Sequence, residues 1–355
     1  MTMHGCSVVW YNKGLGDLYH CARLLREASC GRLLVVASHT DPAAPILQAA
    51  DRSLIEPPLD TDPAAYVQWA LDLCRDYGVD LFIPSRQALA IAEAREAFAD
   101  QGVGLQVPSV QVQTTLHHKD ALYRDLEGLS IPLPAYRVVR SLAELDDAYA
   151  DLRQHHRQLC VKPTVGIFGS GFRVLDEDID EYDALLRTEC MHTSLRAYRD
   201  ALVHTRRPFE LMLMQYLDGV ERSVDCLAAD GRLVAAVSRR KDGRRQVLET
   251  SGPAIDMAAV LVARYALDGI VNVQFKDAGG VSHLLEINPR AAGGLLYSCA
   301  SGLNFPYWSA ALALGLERKE SIRAPRNHMA VIPVSAAIAI DDAHDDPRMA
   351  PRPRS

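Results

Sequence analysis

Apolar and polar positions divide the chain into an alternating first third and a β-rich second half. Cys6–Tyr11, Arg32–Ala37 (RLLVVA) and Asp80–Pro84 (DLFIP) are short apolar runs of the kind that form buried strands. Between them the apolar residues recur every three to four positions. Leu18, Cys21, Leu24 and Leu25 mark one helix face, and Tyr66, Trp69, Ala70, Leu73 and Cys74 mark another. An alanine-rich helix follows Pro84 and runs to about Gln101. Strands alternating with helices predict a parallel sheet covered by helices on both faces, a Rossmann-like α/β domain over residues 1–115.

The pattern then becomes mixed. A helix is expected around Lys119–Leu126, and Pro132 and Pro134 lead into a strand at Tyr136–Val139. Ser141-Leu142-Ala143-Glu144 has the form of a capping box opening a helix to about Gln154. Leu159–Lys162 reads as a strand, Val165–Gly171 as a glycine-rich loop, Phe172–Leu175 as a strand, and residues 178–206 as a polar helix. Beyond Pro208 come five β-rich runs: Phe209–Tyr216, Glu221–Ala229, Arg232–Arg239, Ile270–Lys276 and Ser282–Asn288. Asp230-Gly231 and Ala278-Gly279-Gly280 are the expected hairpin turns. A helix over Pro306–Leu314 follows, and the acidic, then Pro/Arg-rich stretch 341–355 is expected to be disordered.

Composition narrows the function classes. A chain of 355 residues can bury a substantial core in two or three domains. A formal charge of −7 argues against nucleic acid as the main partner, and no run approaches a membrane span. No basic-plus-apolar secretory leader opens the sequence. Eight scattered cysteines include no C-x-x-C pair, which favours reduced, buried thiols and a cytoplasmic setting over zinc or disulfides.

Candidate chemistry is concentrated in Leu284-Leu285-Glu286-Ile287-Asn288-Pro289-Arg290. Alternate side chains of a strand share a face, so Glu286 and Asn288 should point together, with Arg290 at the strand exit. Carboxylate and carboxamide oxygens suit a hard cation such as Mg²⁺, and the guanidinium suits a multi-oxygen anion. In Lys162-Pro163-Thr164-Val165-Gly166-Ile167-Phe168-Gly169-Ser170-Gly171, glycines let backbone N–H groups approach an anion beside a lysine. The order is not that of a Walker loop, and an ordinary hairpin with a surface lysine has the same pattern. Gly14-x-Gly16 lacks the third glycine of a dinucleotide fingerprint and reads as a tight strand–helix turn. Arg240 and Lys241 are placed after a strand in a basic stretch, either as phosphate partners or as a solvated turn. Tyr297, Ser298, Asn304 and Arg23 stand equally between acceptor contact and structure, and Asp225 is expected to pair with a neighbouring base.

In this order the features resemble the ATP-grasp superfamily over about residues 1–325. The resemblance implies an N-terminal pre-ATP-grasp domain (1–115), a small lid subdomain (116–212), and a large subdomain with the metal site (213–340). It implies phosphate contacts from Lys119, Lys162 and Gly169-Ser170-Gly171, and an adenine hinge at Met214-Gln215-Tyr216-Leu217 with Glu221 on ribose. Glu286 and Asn288 become metal ligands, joined by Gln274, twelve residues before Glu286 on the preceding strand. Many members carry an acid there. Glutamine, in Asn272-Val273-Gln274-Phe275, is similar to the ATP-grasp domain of carbamoyl phosphate synthetases.

The implied cofactors are ATP and Mg²⁺, with Mn²⁺ as the substitute ion. The implied activity is ligation: γ-phosphoryl transfer converts a carboxylate to an acyl phosphate, which an amine such as an amino acid attacks. Arg290, Lys162, Arg240 and Lys241 would serve the transferring phosphoryl group. The expected partners are a small-molecule carboxylate and amine, with neither nucleic acid nor membrane, in a chain that resembles homodimeric enzymes. Two alternatives stand beside this one: an enzyme that forms carboxy or carbamoyl phosphate from bicarbonate, and a non-catalytic ATP sensor.

Overall fold

The computed structural model describes residues 6–166, 169–187, 190–334 and 337–340. Its contacts divide the chain into two compact units. The larger holds residues up to 113, 222–274 and from 287 onward; the smaller holds 114–221 and 275–286.

In the larger unit, five parallel strands stand in the order Arg52–Ile55, Leu33–His39, Ser7–Tyr11, Leu81–Ile83, Gly104–Leu105. The α/β expectation for the N-terminal region is met, with two strands, Arg52–Ile55 and Gly104–Leu105, beyond those read from the apolar pattern. The central strands are mostly apolar because each side faces a core. Val8, Trp10, Val36 and Phe82 pack with Tyr66, Ala70, Ile91 and Phe98. Val9, Tyr11, Val35 and Ala37 pack with Leu18, Cys21 and Leu25, and the same cluster reaches Phe305 and Ala310 of the helix Phe305–Ala313. The helix Pro63–Tyr77 starts where its sequence says it should: Asp62 accepts from the backbone N–H of Ala64 and Ala65, Pro63 occupies the first turn, and Gly78 closes it with φ +60°. The alanine-rich segment forms two helices, Ala88–Glu93 and Arg95–Asp100, parted at Ala94 (φ −88°, ψ 14°).

A second sheet has six strands in the order Val281–Asn288, Gly269–Ala278, Glu221–Ala229, Arg232–Asp242, Arg245–Glu249, Met329–Val331. The Asp230-Gly231 and Gly279-Gly280 turns have positive φ at both positions, as two-residue hairpins demand. The strand after the first turn runs on through Asp242, so Arg240 and Lys241 lie within it rather than beyond its end. The basic stretch is therefore a hairpin: Arg240 pairs in register with Val247 and Lys241 with Gln246. The helix Pro253–Arg264 and the short helix Leu295–Cys299 are further elements that the apolar pattern did not single out.

The smaller unit carries a five-stranded sheet in the order Tyr136–Val139, Leu211–Gln215, Leu159–Pro163, Arg173–Leu175, His192–Thr193. Its core is Val139, Leu145, Leu152, Leu159, Val161, Leu175 and Leu213. Ser141 caps the helix Leu142–Arg153 by accepting from Glu144 N (3.2 Å), while the Glu144 carboxylate reaches back to Arg140 N (2.6 Å), one residue beyond the usual partner. The expected long polar helix over 178–206 is instead two helices, Glu181–Leu186 and Leu195–Val203, with the edge strand His192–Thr193 between them. Asp180 and Ser194 each cap one of them, and such oxygens start new helices more readily than they continue old ones. The expected disorder of 341–355 falls outside the described residues.

Candidate active site

Within the smaller unit, two lysines and a carboxylate converge. Lys119 opens the helix Lys119–Leu126, and its backbone N–H donates to Thr164 O (3.0 Å), just past the strand that carries Lys162. The Lys119 side chain is buried; its Nζ donates to Gly166 O at 2.7 Å and stands 3.8 Å from Glu286 Oε2. Lys162 lies mid-sheet, opposite Met212 in register, and its Nζ sits 5.7 Å from the Tyr123 ring centroid. Its stem keeps some solvent contact, but the ammonium is enclosed. Burial, and then the charge of Lys119, pull its pKa down to about 8, with Glu286 opposing. Tyr123 also donates to Leu284 O (2.8 Å), which ties the helix of Lys119 to the strand of Glu286.

The glycine loop follows directly. Gly169 and Gly171 have φ of +66° and +76°, and a Cβ on Gly171 would come within 2.8 Å of the Pro163 ring. Phe172 N–H closes the turn on Gly169 O (2.9 Å), leaving Ser170 exposed at its tip. Ile167 and Phe168 lie outside the described residues. On the hinge, Gln215 N–H donates to Ala135 O and Tyr216 N–H to Gln158 O, so these two donors serve the sheet. Leu217 is buried beyond them, and Lys276 Nζ stacks 4.8 Å from the Tyr216 ring. Gly219 is required by close approach: a Cβ there would meet Asp277 O at 2.2 Å.

Glu286 and Asn288 alternate on the strand Val281–Asn288 as expected, and Pro289 turns the chain so tightly that Arg290 N–H donates to Asn288 O (2.8 Å). Arg290 Nη1 holds Ala291 O at 2.9 Å. In the larger unit Gln274 belongs to a buried chain that the sequence did not reveal. Asp225 pairs with Arg239 (2.8 Å), and both are almost wholly buried. Asn272 Nδ2 donates to Asp225 Oδ1 (2.7 Å) and Ser223 Oγ (2.9 Å), and Gln274 Nε2 donates to Asn272 Oδ1 (3.3 Å). A carboxylate only accepts, so Asp225 turns the Asn272 amide nitrogen toward itself. That presents the Asn272 oxygen to the Gln274 amide nitrogen. The guanidinium of Arg239 also fills the space a Gly294 Cβ would take, 2.2 Å from Nη1.

The other sequence candidates divide cleanly. Glu249 pairs with both Arg222 and Arg240, the latter at 3.0 Å. Ser298 Oγ donates to Asp225 (2.6 Å), Asn304 caps Tyr307 N–H (3.1 Å), and Arg23 pairs with Glu27 (2.9 Å), so each has a structural partner. Asp225 does pair with a base, namely Arg239. No group of three or more His, Cys, Asp or Glu side chains that could hold a metal occurs among the described residues. The three side chains expected to hold a metal, Glu286, Asn288 and Gln274, offer oxygen donors with a single carboxylate, a chemistry that suits Mg²⁺ better than zinc. Among the described residues, no helix is long and apolar enough to cross a membrane.

A parallel N-terminal sheet, a smaller unit carrying two lysines and a glycine turn, and an E-x-N-x-R strand are the features in which the chain is similar to ATP-grasp proteins. The family model that matches is described as ATP-grasp in the biosynthetic pathway with Ter operon, and it covers residues 207–337. The arginine-specific carbamoyl phosphate synthase large chain of Bacillus subtilis (strain 168) is 23% identical over 328 residues, covering 87% of this chain. This chain spans only 29% of that protein's length. Among solved structures, N5-carboxyaminoimidazole synthetase from Staphylococcus aureus superposes with a TM-score of 0.63 at 14% identity, over 87% of this chain and 77% of the other. L-amino acid ligase from Bacillus licheniformis gives 0.59 at 15%, over 91% and 78%.

Proposed function

We propose that the protein is an ATP-dependent ligase that activates a carboxylate as an acyl phosphate and joins it to an amine, releasing ADP and phosphate. The observation that carries this reading is the meeting of Lys119, Lys162 and Glu286 in the smaller unit, beside the glycine turn at Gly169–Gly171. Enclosed cations are what a triphosphate needs, and their charge neutralises oxygens that become more negative during transfer. Lys119 and Lys162 hold the α- and β-phosphates, the hinge Met214–Leu217 receives adenine, and Glu221 receives ribose. Glu286, Asn288 and Gln274 would hold Mg²⁺, which would supply Lewis-acid charge neutralisation when bound. Arg290 receives the transferring phosphoryl group or the tetrahedral intermediate. Arg240, anchored by Glu249, and Lys241 are its further partners. The substrates are small molecules, and the setting is the cytoplasm.

A phosphate-release screen over pairs of carboxylates and amines tests the reading. Release that requires both members of a pair supports ligation, and ATP binding without release from any pair overturns it. One observation favours a second reading: Gln274 and the similarity to a carbamoyl phosphate synthase point to carboxy phosphate made from bicarbonate. A bicarbonate-plus-ammonia arm in the same screen separates the two.

A further inference from the structure

Within the larger unit, a cavity of about 40 Å³ lies against the first turn of the helix Leu18–Ser29, with Tyr11, Asp17, Ser85, Gln106 and Arg290 on its wall. That is room for two or three water-sized groups. Two of its polar side chains do not satisfy one another or anything else in the fold. Tyr11 is 2% exposed and its hydroxyl has no hydrogen-bond partner. Both carboxylate oxygens of Asp17 are sheltered from solvent and receive no hydrogen bond. Gln106, by contrast, is fully engaged by Ser309, donating to its carbonyl oxygen (3.0 Å) and accepting from its hydroxyl (2.8 Å). Asp17 stands at the helix N-cap yet caps nothing. A carboxylate placed there for the helix would accept from the following N–H groups, as Asp62 does.

We propose that this cavity is the subsite for the acceptor's amino group, read by Asp17 and Tyr11 beside Arg290. The inference rests on the ligase reading and names the part of the site that binds the amine. Three orphaned acceptor atoms, two on Asp17 and one on Tyr11, match the three donors of an ammonium, which has no acceptor of its own. A divalent cation fits poorly: it needs six or more oxygens, and one carboxylate with a phenol does not supply them. An anion is opposed by Asp17 itself. Leaving buried acceptors unpaired costs free energy, so a ligand that pairs them recovers affinity the fold gave up. Burial holds the Asp17 carboxyl above its usual range, with its own backbone N–H and then the Arg290 charge partly offsetting it. Arg290 also exits the E-x-N-x-R strand, so the amine would wait next to the group that receives the phosphoryl.

The test uses the twenty L-amino acids and methylammonium as probes. Each is titrated calorimetrically into the full chain, with and without a non-hydrolysable ATP analogue and Mg²⁺. At least one amine should bind, and Asp17→Asn should weaken it by about 10- to 100-fold, the loss of one charge-assisted hydrogen-bonded contact. Tyr11→Phe should weaken it less. The melting temperature of Asp17→Asn should equal or exceed that of the parent, because a sheltered charge is removed. A purely structural Asp17 would instead lower it. If no probe binds more weakly to Asp17→Asn than to the parent, the subsite assignment is wrong. The ligase reading is judged separately, from hydroxamate formed by the parent with ATP, the carboxylate panel and hydroxylamine. Its absence overturns that reading whatever the amine titrations show.

Discussion

Lys119 Nζ stands 3.8 Å from Glu286 Oε2, so the lysine proposed to bind phosphate and the carboxylate proposed to bind the metal are already neighbours. In the protein alone, each partly neutralises the other and the nearby Lys162. Mg·ATP would exchange partners, with phosphate oxygens taking the lysines and Mg²⁺ taking the carboxylate.

Replacing Glu286 by Gln therefore removes both the metal charge and the lysines' counter-charge. Turnover should be abolished, and the Lys162 pKa should fall below about 8, because Glu286 is what holds it up. NMR titration of labelled lysine ε-carbons reads the second effect independently of activity. An unchanged Lys162 titration would sink the electrostatic coupling described here.

Lys162 sets a pH window of its own. Its folded pKa of about 8 is below that of an unfolded lysine, so between about 8 and 10.4 the unfolded chain holds more protons. Stability from this group should rise with pH across that window. Below pH 8 the enclosed ammonium is a standing cost. Over the same rise, the affinity for ATP should drop as the lysine loses its charge. Lys162→Ala should cost about 2.7–4 kcal/mol in the barrier if the group acts as one preorganised charge. Thermal melts of parent and Lys162→Met from pH 7 to 10 check the linkage: the parent should approach the variant as pH rises.

The pair Asp225–Arg239 is almost entirely enclosed. Asp225→Ala should destabilise the chain by about 3–5 kcal/mol, since it strands a guanidinium and unhooks Asn272 as well. Urea unfolding monitored by circular dichroism reads the loss directly. A change below 1 kcal/mol would mean that Arg239 finds a substitute partner.

Gly219→Ala should lower stability by about 1–3 kcal/mol, because its methyl group would meet Asp277 O at 2.2 Å and force the two segments apart. Equilibrium unfolding gives the cost. Since the collision lies beside the hinge Met214–Leu217, ATP affinity should weaken as well.

Mg·ATP should slow hydrogen exchange at Gly166 and Gly169–Gly171, whose N–H groups are the proposed phosphate cradle. Exchange mass spectrometry over 163–172 resolves this. Identical uptake with and without saturating nucleotide would remove the loop from the phosphate site.

Much of this architecture was legible because local pattern and burial agree. The parallel strands were readable from apolar runs that face cores on both sides, and Glu286 and Asn288 from simple alternation. What escaped was set by contacts far apart in sequence. Nothing near Arg239 announces that it will be buried against Asp225, fourteen residues away across a hairpin, and a stretch from Arg239 to Arg245 with five basic residues in seven looks like a solvated surface. The segment 178–206 breaks into two helices because Asp180 and Ser194 act as starting points rather than as polar helix positions. Pro253–Arg264 had readable signals, with Gly252 and Pro253 before an acidic first turn and Arg264 at the end. The carboxylate of Asp17 could not have been found from sequence, because being unpartnered is a property of three dimensions.

Because the smaller unit takes residues 275–286 from beyond a long excursion into the larger one, it has a schedule as well as a shape. Tyr123 must wait for Leu284, 161 residues downstream, before its hydroxyl finds a partner. At ribosomal rates of about 5–20 residues per second, that wait lasts on the order of ten seconds. During it, Lys119 and Lys162 would have no Glu286 to offset them. A nascent chain arrested before Glu286 therefore carries two uncompensated cations, so a polyanion or nucleotide should bind it in that interval. Truncation at residue 221 would make that temporary state permanent.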